Sequence, residues 1–122
     1  MATILVVEDN PANMKLAIFL LESAGHRVLS ATNAEAGLTL ARGAHPSLIL
    51  MDIQLPGMDG LEAVVLLKQD EATRTIPVIA LTALAMKGDE ERIRAAGCDA
   101  YIAKPMRYQD FLTTVASQLA CT

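Results

Sequence analysis
Residues 48–60 read Leu48-Ile49-Leu50-Met51-Asp52-Ile53-Gln54-Leu55-Pro56-Gly57-Met58-Asp59-Gly60. Four consecutive apolar residues without alternation read as a short strand covered on both faces. The run stops on one acid, Asp52, and passes into a stretch rich in turn residues, Pro56, Gly57 and Gly60 among them. Leu61, Val64, Val65 and Leu67 then recur at the spacing of a helix. A strand buried on both faces and followed by a helix is the building unit of a parallel sheet.

The chain on either side repeats this unit. Ile4-Leu5-Val6-Val7 is a second short apolar run, ended by Glu8-Asp9-Asn10. Asn10 suits an N-cap and Pro11 a first helical turn, and Met14, Ala17, Ile18 and Leu21 continue that helix to Gly25. Residues 26–31 carry only Val28 and Leu29 as a strongly apolar centre, which predicts an edge strand. Asn33 caps a second helix, marked by Ala36, Leu40 and Ala41 and predicted to end near Gly43. Pro77 precedes a fourth strand, Val78-Ile79-Ala80-Leu81, which ends at Thr82. The helix predicted over 85–96 is sparsely apolar, with Met86, Ile93 and alanines, and should be the least firmly anchored. Gly97 ends it, Ala100 to Ala103 form a fifth strand, and Phe111, Leu112, Val115, Ala116 and Leu119 face inward from a last helix. Right-handed crossovers then give an α/β chain with a (βα)5 doubly wound, five-stranded parallel sheet, of order 2-1-3-4-5.

The composition narrows the function. A length of 122 residues suits one domain over 1–122. Hydrophobic residues make up 52% and aromatic ones 3%, with no Trp, so aliphatic side chains must build the core. A net charge of −4 with so few aromatics argues against direct nucleic-acid binding. No apolar run approaches the ~20 residues of a membrane span, and no signal sequence opens the chain, so a cytoplasmic location is expected. Cys98 and Cys121 lack metal-ligand spacing and read as thiols in a reducing compartment. His26 and His45 have no partner at ligand spacing and are assigned to the surface.

In open α/β sheets, ligands bind beyond the carboxyl ends of the strands. Those ends carry Glu8-Asp9, Asp52, Thr82 and Lys104, on strands one, three, four and five, which the order 2-1-3-4-5 makes contiguous. Carboxylates gathered in one crevice repel one another unless a cation neutralises them. Oxygen donors of this kind suit Mg²⁺, which keeps coordination sites for water and phosphate oxygens. The crevice therefore reads as an Mg²⁺ and phosphoryl site.

Val7-Glu8-Asp9-Asn10, the run Leu50 to Pro56, Met58-Asp59-Gly60, Leu81-Thr82-Ala83 and Lys104-Pro105 together resemble the receiver domain of bacterial two-component response regulators, a flavodoxin-like, CheY-like fold. Asn13 to Leu16 and Met86 to Ile93 look most like stand-alone receivers of the DivK type. The resemblance implies that Asp52 is the phosphoacceptor, taking a phosphoryl group from a phosphohistidine of a sensor histidine kinase or histidine phosphotransfer protein. It also implies Mg²⁺ held by Asp9, Asp52 and the main-chain carbonyl of Gln54, with Glu8 acting through water. Lys104 and Thr82 would meet phosphoryl oxygens, Lys104-Pro105 would be cis, and Thr82 and Tyr101 would form a switch that alters the surface of helix 4, strand 5 and helix 5 toward a downstream protein target.

Around the site, Gln54 and Leu84 are expected to tune the phosphoryl lifetime. Met14, with Leu16 and Ala17, and Met106 with Arg107 are expected on the rim where partners dock. The competing reading, an aspartate-nucleophile phosphohydrolase, wants a second acid two residues after the nucleophile, where Gln54 stands. A flavodoxin-like cofactor carrier would place Glu8-Asp9 against its phosphate. A signalling domain without true enzymatic turnover fits better.

Overall fold
The computed structural model describes residues 2–83 and 87–120. Leu84, Ala85, Met86 and Cys121, which figure in the readings above, lie outside the described residues. Strands and helices alternate: β1 (Thr3–Val7), α1 (Pro11–Ser23), β2 (Arg27–Ala31), α2 (Ala34–Ala44), β3 (Leu48–Asp52), α3 (Gly60–Gln69), β4 (Val78–Thr82), α4 (Lys87–Ala96), β5 (Ala100–Ala103) and α5 (Tyr108–Ala120). The strands form one five-stranded sheet, β2-β1-β3-β4-β5, and every pairing is parallel. This is the predicted architecture.

Successive strand residues point to opposite faces, and both faces are buried. Leu5, Val7, Ile49, Met51, Val78 and Ala80 share one core cluster with α2 and α3 residues such as Leu38, Val64 and Leu67. Ile4, Val6, Leu48, Leu50, Ile79 and Leu81 share the other with Ala17, Leu20 and Leu21 of α1 and Phe111 and Val115 of α5. β2 and β5 are the edge strands, and β2 is buried only at Ala31. In α4, Ile93 is the one buried side chain among the described residues, with Ala96 packed partly buried against the same core cluster.

Asn10 caps α1 by accepting from the amides of Ala12 and Asn13, at 2.9 and 3.1 Å. Asn33 caps α2 through the amide of Ala36. α2 runs past Gly43 to Ala44, and the left-handed residue is His45, at φ 48°. Pro46 disfavours the helical conformation for the residue before it, so the helix ends there rather than at the glycine. His45 is exposed as expected, whereas His26 is half-buried and its Nδ1 accepts from the amide of Ala2. Burial, with the charge of the N-terminus, lowers the His26 pKa. Cys98 is buried, and its thiol is pushed up to about 11, by desolvation first and then by Asp99.

Candidate phosphoryl and metal site
The register brings the strand ends level. Val7 pairs with Met51, so Glu8 and Asp52 follow side by side on adjacent strands. Asp52 pairs with Leu81, which puts Thr82 one step further along. Thr82 pairs with Ala103, and the Lys104 amide donates to the Thr82 carbonyl at 2.7 Å. The sequence-predicted Glu8, Asp52, Thr82 and Lys104 thus converge on one end of the sheet.

Asp52 is 2% exposed. Its Oδ1 accepts from the Gln54 amide at 2.8 Å and its Oδ2 from Lys104 Nζ at 3.0 Å. The same ammonium lies 2.8 Å from Glu8 Oε1, as an ion pair whose alignment falls short of a hydrogen bond. Glu8 Oε2 accepts from the Asn10 amide at 3.2 Å. One lysine therefore spans two buried carboxylates. The Thr82 side chain is fully buried beside them, and Asp9 and Gln54 face solvent.

Burial raises the Glu8 pKa, and the hydrogen bond it shares with Asp52 raises it further, because two adjacent carboxylates favour one proton between them. Burial alone would raise Asp52 too. The hydrogen bonds from Glu8, the Gln54 amide and Lys104 outweigh that and hold it below the usual range. For Lys104 burial acts downward, and contact with Glu8 and Asp52 outweighs it and raises the pKa.

Carboxylate oxygens of Glu8, Asp9 and Asp52 all lie within 4.8 Å of one another. Such an all-oxygen donor set fits a hard divalent cation and excludes a soft one. Glu8 Oε1, buried without an aligned donor, is the kind of atom that a cation would satisfy.

Residues 4–116 match the response regulator receiver domain family. The chain belongs to that family. The receiver is 53% identical over 117 residues to the polar-differentiation response regulator DivK of Brucella ovis, across 96% of this chain and 95% of that one. A solved structure of a putative response regulator from Chloroflexus aurantiacus superposes with a TM-score of 0.93 at 29% identity, over 98% of each chain. The receiver domain of a Pseudomonas aeruginosa PAO1 sensor histidine kinase does so with 0.91 at 34% identity, over 98% of each, and holds a magnesium ion in its active site cleft.

The other sequence-predicted residues of the receiver divide. Lys104-Pro105 is cis. Tyr101 is half-buried and lines a cavity of about 300 Å³ with Lys104, Arg107, Asp110 and Thr114, on the β5–α5 side of the site. Met14 is half-buried on α1 and Arg107 is exposed. Met106 is corrected: it is 8% exposed, in the same core cluster as Phe111, and offers no docking surface. It lies two residues before α5 and Phe111 is the fourth residue of that helix, the spacing at which a hydrophobic pair clamps a helix start. That spacing was legible in the sequence. Phe19 on α1, 65% exposed, is a large exposed apolar side chain that sequence reasoning did not single out.

Proposed function
We propose that this receiver takes a phosphoryl group from a phosphohistidine onto Asp52, in a two-component phosphorelay. The observation that carries the reading is Lys104, whose ammonium spans Asp52 and Glu8 at 3.0 and 2.8 Å on the end of the sheet. An oxygen of Asp52 attacks phosphorus, the bond from phosphorus to the donor imidazole breaks, and the imidazole leaves as the neutral base after protonation. The Gln54 amide fixes one Asp52 oxygen, which orients the other toward the attack. Lys104 follows the negative charge onto a phosphoryl oxygen, and the Thr82 hydroxyl donates to another. Asp9, Asp52 and the Gln54 carbonyl would hold Mg²⁺, with Glu8 acting through water. The ion would supply positive charge for the phosphoryl oxygens as the transition state develops.

Thr82 and Tyr101 form the switch, and the surface of α4, β5 and α5 carries the message to a downstream protein. Gln54, exposed beside Asp52, positions the water that ends the signal. Leu84, expected to shield the phosphoryl group, lies outside the described residues. Met14 and Arg107, joined by Leu16 and Phe19, form the rim for a histidine kinase or phosphotransfer protein. The near-complete overlap with DivK supports reading residues 1–122 as one receiver domain, and a cytoplasmic location and the lack of catalytic turnover belong to the same proposal. Among the described residues no helix is long and apolar enough to cross a membrane.

Incubation with acetyl phosphate and Mg²⁺ tests the reading by intact mass. Wild type gains one phosphoryl group, and Asp52→Asn gains none. Uptake by both proteins, or by neither, would overturn the assignment of Asp52.

A further inference from the structure
Of the chain's seven glycines, Gly60 alone would set a Cβ against main chain. That atom would fall on the carbonyl oxygen of Asp52, 2.6 Å from Ile53 Cα and 2.9 Å from the Asp52 carbonyl carbon. By contrast, a Cβ on Gly37 would meet the Val7 side chain, and one on Gly97 the Lys68 side chain. The flexible Lys68 side chain can give way, Val7 is a buried core side chain, and the Asp52–Ile53 peptide is main chain that cannot move freely. The Ile53 amide donates to Leu81 at 3.1 Å, and the Gln54 amide is tied to Asp52 Oδ1.

Asp59 holds the same contact from the helix side. Its carboxylate accepts from the Leu61 amide at 2.9 Å and its carbonyl from the Ala63 amide at 3.1 Å. The first turn of α3 is thereby seated on the backbone that carries Asp52. We infer that Gly60 and Asp59 are positioning residues for the site: the seat of α3 sets where the Asp52 carboxylate and the Gln54 carbonyl stand relative to a divalent cation and an incoming phosphorus. This rests on the reading of Asp52 as phosphoacceptor. Any side chain at position 60 displaces the peptide between those two groups. A displacement of ~1 Å is enough to cost on the order of 100-fold in a reaction that depends on alignment.

The test compares wild type, Gly60→Ala and Gly97→Ala. Gly97 has φ +112° and lies at the opposite end of the sheet, so Gly97→Ala is strained without touching the site. Mg²⁺ affinity is measured by isothermal titration calorimetry, and the rate of uptake from acetyl phosphate by intact mass. Gly60→Ala weakens Mg²⁺ binding about tenfold and slows uptake by on the order of 10- to 100-fold. Gly97→Ala loses thermal stability but holds both within about twofold, because distant sites act independently.

Should Gly60→Ala not fold, Asp59→Ala removes the cap without adding an atom. It weakens Mg²⁺ binding about threefold, and Asp59→Asn, which keeps an accepting oxygen, restores it. Equal behaviour of Gly60→Ala and Gly97→Ala overturns the inference, as does an Asp59→Ala protein with wild-type affinity. A wild-type chain without uptake overturns the phosphoacceptor reading instead and leaves the Mg²⁺ measurements to decide the seat.

Discussion

Asp70 ends α3 and ties it to α2. Its carboxylate accepts from the Ala72 amide and from Arg42 Nε, both at 2.9 Å, and these bonds lower its pKa in that order. A carboxylate depressed on folding contributes stability above its unfolded value, which is lost as pH falls through the folded one. Asp70→Asn is therefore less stable than wild type at pH 7, and the difference closes as pH drops below about 4. Urea unfolding across pH tests this, and a difference independent of pH would refute it. The pair Arg42 and Asp70 is 28 residues apart in sequence and left no local signal. Glu8, Asp52, Thr82 and Lys104 did leave one, because a residue that ends a buried strand of known order has its place fixed by topology. Met106 was misread because a polar, Pro-containing neighbourhood implies a surface loop, and only its spacing to Phe111 betrays the contact.

Two of the sparsely buried elements, α4 and β5, lie next to the site. Ile93 is the only buried side chain among the described residues of α4, and Tyr101 of β5 is half-buried next to Lys104 and the cavity on the α5 side. Elements with few buried contacts open at low cost, which suits them to respond to a change at Thr82. The sparse apolar pattern over 85–96 marks this helix as weakly anchored, although Ala85 and Met86 lie outside the described residues. The centres of β1, β3 and β4 were equally plain, since each is a short apolar run. Helix ends were less so: Gly43 carried the usual stop signal, yet Pro46 decided the end of α2. Tyr101→Ala should take up phosphate within about twofold of wild type, since the Gln54 amide and Lys104, not the Tyr101 ring, hold the Asp52 carboxylate. Hydrogen exchange reads the switch. Wild-type amides over residues 87–96 change protection on phosphorylation, and Tyr101→Ala loses most of that change. Retention of the full change would remove Tyr101 from the switch.

At the scale of the whole molecule, charge is concentrated. The chain carries −4, and Glu8, Asp9 and Asp52 with Lys104 account for −3 and +1, so half of the net charge sits at one end of the sheet. Such a cluster opposes folding through self-repulsion, and a cation that binds only the folded arrangement relieves it. Mg²⁺ at 100 times its Kd should stabilise the fold by about 2.7 kcal/mol. For a chain of this length that raises Tm by on the order of 10 °C. Asp9 faces solvent and bonds none of the groups that fix Asp52, so Asp9→Asn should abolish most of this gain while leaving the metal-free Tm within a few degrees. Thermal melts over an Mg²⁺ series measure both. If monovalent salt at equal ionic strength produced the same rise, screening rather than a bound ion would explain it, and an unmoved Tm in millimolar Mg²⁺ would refute a cation site of this affinity.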